Sequence, residues 1–197
     1  MLQIKVNNIN ELAVEHYDYL CNKFSFSISK RLDKSLSKYK SRRKIYKSYF
    51  KLLEYLKNNL KEIIIGEPVI LEKHKIKLSY LSKAFNFEGT VKSKSIEEAE
   101  ILKDLKNIFK YSTFSSNGFQ SGNIQYSGNA LVQKINLSTC PYCNRNTIYS
   151  IKKQRRTFDL DHFYPQAKYP FFALSFYNLI PSCKICNQIK LDSDDKE

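Results

Sequence analysis

The sequence predicts an α+β protein: a mostly α-helical N-terminal domain over residues 1–130, then a small zinc-stabilised module of strand, strand and helix over residues 131–197. Three observations lead there. Ile45, Tyr49, Leu52, Leu53, Leu56 and Leu60 recur at three- and four-residue steps, the spacing of one helix face. Ser95-Ile96-Glu97-Glu98 reads as a capping box opening a second helix. Two Cys-x-x-Cys pairs, Cys140/Cys143 and Cys183/Cys186, flank short β-leaning runs.

Taken in order, residues 2–6 alternate weakly and fit a short strand or an extended arm. Asn10 is placed to cap a first helix carrying Leu12, Val14, Tyr17 and Leu20. Residues 24–40 are ambiguous, with Phe24-Ser25-Phe26 alternating like a strand before a helical pattern sets in. The helix over 41–61 is stopped by Gly66 and Pro68. After a poorly patterned stretch, the capped helix runs from Ser95 to about Tyr111 and buries Ile101, Leu102, Leu105, Ile108 and Phe109. Ser, Asn and Gly then cluster over 112–130, which predicts a linker and the domain boundary. The remaining segment is too short for a large unaided core, so a metal staple is what it needs.

With 42% hydrophobic and 26% charged residues, the chain has globular rather than disordered composition. No apolar run approaches the roughly 20 residues of a membrane helix. MLQIKVNNIN has no basic segment leading into an apolar one, so the expected setting is the cytoplasm, without membrane contact. Lys+Arg 33 against Asp+Glu 19 gives +14, which implies a polyanionic partner. Between Lys30 and Lys51 the only acid is Asp33, and Tyr39, Tyr46, Tyr49 and Phe50 are interleaved with the basic residues. That mixture suits phosphate contacts with base stacking, with Arg42, Arg43, Lys44 and Lys47 as the expected nucleic-acid contacts. The bland alternative is a solvated helix face.

The fifth cysteine, Cys21, leaves an odd count, and no secretion signal is read, so a disulfide framework is not expected. Four thiolates in two knuckles suit one tetrahedral Zn²⁺, closed and therefore structural. Cys21 is expected to be a small buried hydrophobe. Between the knuckles, Thr147–Ile151 and Thr157–His162 lean towards strand and are joined by the basic turn Lys152–Arg156. Asn178–Ile180 is a further apolar run, and Lys184–Lys190 is helix-compatible. Tyr164, Tyr169, Phe171, Phe172, Phe176 and Tyr177 are expected to form the module's core.

The residues CPYC, DLDH, YNLIPSC and CKICNQIK resemble, in order and spacing, an HNH endonuclease of the ββα-metal superfamily, in the subtype clamped by a four-cysteine zinc. The resemblance covers residues 140–190. The stretch DLDHFYPQAKYPFFALSFYNLIPSCKICN is further similar to HNH nucleases of bacterial anti-phage systems that work beside an ATPase, such as the PtuB type of Septu. The resemblance implies that Asp161 and Asn187 hold a catalytic metal and that Asn178 braces the loop orienting the general base. Asn187 stands where the family often has His, which leaves one nitrogen ligand fewer and favours Mg²⁺ over softer metals.

Chemistry supports the same roles. Phosphodiester hydrolysis needs an activated water and charge stabilisation. His162 can take the water's proton, and Asp161 offers the hard oxygen that Mg²⁺ or Mn²⁺ prefers. On a strand the two side chains point to opposite sides. Asp159 fits a supporting role. Arg155, Arg156 and Lys190 are expected to meet nucleic acid, although Lys190 equally fits a solvated helix face. His16 and His74 are given no catalytic role. The expected function is a metal-dependent endonuclease cutting DNA, most naturally double-stranded, in phage defence or restriction, with an ATPase partner. The alternatives are an RNA- or tRNA-cleaving HNH nuclease and a zinc-knuckle binding module without catalysis.

Overall fold

The computed structural model describes residues 8–24, 27–40, 44–85, 87, 95–150 and 156–193, with side chains to Lys190. Residues 2–6, Arg42, Arg43 and Arg155 lie outside the described residues. The architecture is α+β and mostly helical, with two small antiparallel sheets.

Helix α1 (Ile9–Asp18) begins two residues earlier than an Asn10 cap implies. Asn8, at φ 59°, precedes it, and Asn10 instead accepts a hydrogen bond from the Tyr177 hydroxyl at 2.9 Å. A π-helical turn (Tyr19–Lys23) leads to α2 (Ile28–Tyr39), whose N-cap Ser27 accepts from the Lys30 amide. The long helix expected over 41–61 is two helices, α3 (Lys44–Asn58) and α4 (Leu60–Ile65), broken at Asn59. Gly66 and Pro68 do stop this pair, with Pro68 opening α5 (Pro68–Leu81). The sequence left α5 unpatterned because Leu71, His74 and Leu78 face inward while Val69, Ile76 and Tyr80 are exposed.

The capping box is present at α6 (Ile96–Phe109): Ser95 and Glu98 bond each other's backbone amides at 3.2 and 3.0 Å. Lys110, at φ 47°, then breaks the chain direction, so Tyr111 opens α7 (Tyr111–Ser115) instead of ending α6. The expected linker is folded. It holds α7, the hairpin of β1 (Phe119–Ser121) and β2 (Ile124–Tyr126), and the start of α8 (Gly128–Ile135). Buried Phe114, Phe119 and Tyr126 anchor it, and Gly118 takes φ 77° where a Cβ would lie 2.5 Å from the Tyr126 carbonyl oxygen. Helix α8 crosses the expected boundary at 130/131, and residues of both segments share one buried core.

The C-terminal strands are β3 (Phe158–His162) and β4 (Leu179–Cys183), paired antiparallel with Asp161 opposite Ile180 and His162 opposite Leu179. Pro181 is tolerated because this sheet has only edge strands. Helix α9 (Lys184–Ser193) follows β4 directly and packs on both strands. The order strand, strand, helix is therefore as expected, but the first strand is not Thr147–Ile151. Its described residues make single bridges, Thr139 to Thr147 and Ser150 to Arg156; Thr157 adds one backbone bond to the Tyr149 carbonyl, and its hydroxyl accepts from the Tyr149 amide and donates to the Thr147 carbonyl. Of the six expected core aromatics, Tyr164, Phe171, Phe172 and Phe176 are buried, and Tyr169 and Tyr177 pack half-buried against them.

Candidate metal centre and catalytic site

The four cysteines converge. Their Sγ atoms all lie within 4.8 Å of one another, with Cys143 and Cys183 4.0 Å apart. A tetrahedral Zn²⁺ with Zn–S near 2.3 Å requires S···S separations of about 3.8 Å, so the cluster fits a metal such as zinc. Local structure explains the convergence. The first knuckle is closed by Asn144 N–H to Cys140 C=O and Cys140 N–H to Asn146 C=O, both at 2.9 Å, with Asn144 at φ 50°. The second forms where β4 becomes α9, which puts Cys186 in the first turn of the helix.

The cluster is built for anionic sulfur. Backbone N–H groups of Asn146 and Arg145 pull the Cys143 thiol down to about 6. At Cys183 burial opposes ionisation, yet the Asn146 side chain, donating at 3.1 Å, and the Cys186 amide outweigh it and hold the thiol low. Burial and hydrogen bonds with Cys183 and Cys143 push Cys186 up to about 12. A divalent cation is the partner that lets all four sulfurs ionise together. Cys21 stands apart, buried, its thiol raised to about 12 by burial.

A cavity of about 380 Å³ is lined in part by Tyr111, Ser115, Arg156, Asp161, His162 and Asn187, the last directly following Cys186 in the chain. Strand β3 presents Phe158, Leu160 and His162 on one side, towards α7 and α8, and Asp161 on the other, towards α9. His162 Nε2 lies 3.1 Å from the Ala173 carbonyl oxygen, a bond that needs the proton on Nε2 and leaves the Nδ1 lone pair free to accept one. Burial lowers the His162 pKa, against the raising effect of the Ala173 carbonyl and the Asp161 charge, so the neutral imidazole dominates at pH 7.

Asn178 is fully buried and supports that arrangement. Its Oδ1 accepts from the Tyr164 amide at 2.6 Å, and its Nδ2 donates to the carbonyls of Tyr164 and Phe172. It thereby closes the loop 163–177 and fixes the chain next to Ala173. The helical segment clamps the same loop. His16 Nε2 lies 2.8 Å from the Leu174 carbonyl oxygen, the Ser175 hydroxyl donates to Ile63 C=O, and the Tyr164 hydroxyl donates to Glu72.

Asp161 is 5% exposed. Its Oδ2 accepts from the Tyr142 hydroxyl at 2.5 Å and from Lys190 Nζ at 2.9 Å. Among the described residues, Oδ1 has no hydrogen-bond partner. Lys190 also donates to the His162 carbonyl at 2.8 Å, so its ammonium is tied to β3 while its side chain stays partly exposed. Asn187, three residues earlier on α9, lines the cavity with Asp161 and His162. Asp159 lines it too, 3.6 Å from Arg156, whose guanidinium is committed to the Ser115 carbonyl and hydroxyl.

Tyr111 and Ser115 are among the cavity residues that escaped the sequence reading. The Tyr111 ring meets the His162 ring at 4.4 Å, edge to face, while its hydroxyl donates to Leu160 C=O at 3.0 Å. Ser115 anchors Arg156. Both come from α7, Tyr111 expected at the end of the preceding helix and Ser115 in the linker, and no motif spacing marks them.

The basic run divides. Lys44 and Lys47 are exposed on α3. Arg31 donates to Ile108 C=O and Lys38 pairs with Glu100 at 2.9 Å, so these two serve internal contacts. Among the described residues the expected stacking platform is not seen, and Phe50 packs half-buried against the core. Tyr39, Tyr46 and Tyr49 are buried, with hydroxyls donating to Glu100, Glu100 and Asp104 of α6. They satisfied a helical period because they pack in the core.

Comparison with protein families, with curated proteins and with solved structures finds no match. Among the described residues no helix is long and apolar enough to cross a membrane.

Proposed function

We propose that this chain is a metal-dependent HNH-type endonuclease that hydrolyses phosphodiester bonds in double-stranded DNA, with a structural Zn²⁺ on Cys140, Cys143, Cys183 and Cys186. One observation carries the reading: His162, with Nε2 committed to the Ala173 carbonyl, lines one cavity with Asn187 and with Asp161, whose Oδ1 has no hydrogen-bond partner among the described residues. His162 Nδ1 takes a proton from the attacking water. Asn178 and Tyr111 keep the imidazole in place. Asp161 Oδ1 and the Asn187 amide oxygen are hard donors that fit Mg²⁺ or Mn²⁺. When bound there, that ion supplies charge neutralisation at the phosphate and at the departing oxygen.

The +14 charge favours a polyanionic substrate, with exposed Lys44 and Lys47 as backbone contacts. Phage defence and an ATPase partner rest on the resemblance of residues 159–187, and co-purification with neighbouring gene products tests them. Incubating the protein with supercoiled plasmid and with total RNA, each with Mg²⁺ or EDTA, tests the activity. Plasmid cleavage in Mg²⁺ alone is expected. Cleavage confined to RNA replaces DNA by RNA in this reading, and binding without cleavage makes the chain a zinc-knuckle binding module.

A further inference from the structure

We infer that Tyr142, inside the first cysteine knuckle, is a positioning residue for the cation-binding carboxylate of Asp161, so that the sulfur cluster sets the affinity of the second, hard-cation site. This rests on the proposed endonuclease site and adds a physical link between its two metal centres.

Tyr142 lies between Cys140 and Cys143, inside the turn that the 2.9 Å bonds of Cys140 with Asn144 and Asn146 close. Its hydroxyl reaches Asp161 Oδ2, which also receives Lys190. Two donors on one oxygen fix the rotation of the carboxylate and leave Oδ1 as its ligand atom. Hydrogen bonds to an ionised acceptor are about twice as strong as neutral ones, and such outer partners orient metal ligands. The two donors are unequal. Lys190 brings a positive charge that repels an arriving divalent ion, whereas Tyr142 orients the carboxylate without opposing the ion. Its placement comes from the knuckle that these backbone bonds close, and a metal held by the four sulfurs would brace that knuckle further.

The test uses Tyr142→Phe in the zinc-loaded full chain, with Asp161→Asn as reference. Mn²⁺ binding is followed without substrate by the loss of the free-ion electron paramagnetic resonance signal, and zinc is measured by elemental analysis. Tyr142→Phe should keep one zinc per chain and bind Mn²⁺ about 10–100-fold more weakly, while Asp161→Asn abolishes that binding. Unchanged Mn²⁺ affinity in zinc-replete Tyr142→Phe overturns the inference alone. Zinc loss in Tyr142→Phe also overturns it, by making the tyrosine a component of the cluster's own fold. Wild-type protein that binds no Mn²⁺, or binds it equally after Asp161→Asn, overturns both the inference and the metal site beneath it.

Discussion

At the scale of single residues, imidazoles do two different jobs in this chain. His162 sits at the end of a strand beside a cavity, while His16 is fully enclosed, bonded to the Tyr126 hydroxyl and the Leu174 carbonyl at 2.8 Å each. Burial drives the His16 pKa down to about 4, the Leu174 carbonyl opposing only in part. The unfolded chain therefore binds a proton between pH 6.5 and 4 that the folded chain refuses. Stability from this group is full above pH 6.5 and is lost as pH falls towards 4. Between pH 6.5 and 5 the loss should be roughly 2 kcal/mol, at 1.36 kcal/mol per unit. Urea unfolding of wild type and His16→Gln at both pH values should show a steeper acid loss in wild type, and parallel curves would contradict the assignment. DLDH and the cysteines were legible because their chemistry is local in sequence. Tyr111 was not, because its meeting with His162 depends on the left-handed turn at Lys110, which residue type does not announce.

At the scale of elements, the capped helix and the cysteine knuckles could be read because each is specified within a few residues. The hairpin β1–β2 was misread because Ser, Asn and Gly suit tight turns as well as linkers, and the buried Phe119 and Tyr126 were the signal against a linker. The break at Asn59 between α3 and α4 went unseen because Leu56 and Leu60 keep the apolar period across it. Helix α9 starts on the second knuckle and carries Asn187 and Lys190, so the cluster, the last strand and the cavity wall are one mechanical unit. Cys140→Ser should remove the metal and unfold this unit, because binding and folding are coupled where four thiolates converge. Elemental analysis should find about one zinc per wild-type chain and none in the variant, with loss of the near-ultraviolet signal of the clustered aromatics. A well-folded, zinc-free Cys140→Ser protein would show that the knuckles hold without metal.

Across the whole molecule, the helical segment does more than supply charge. His16, Ile63 and Glu72 grip the loop that carries Ala173, and α7 supplies Tyr111 and Ser115 to the cavity wall. The basic run looked like a docking surface in sequence, yet its tyrosines turn inward, where Glu100 and Asp104 accept their hydroxyls. Sequence patterning alone does not distinguish an aromatic that stacks on a base from one that packs on a neighbouring helix, since both recur at helical spacing. The most direct test of the account is plasmid cleavage in Mg²⁺ by zinc-replete wild type and His162→Ala, matched for zinc content and melting temperature. The account predicts cleavage by wild type and a loss of roughly 10²–10⁴ in rate for the variant, the usual cost of removing a general base. Cleavage at wild-type speed by His162→Ala would contradict it.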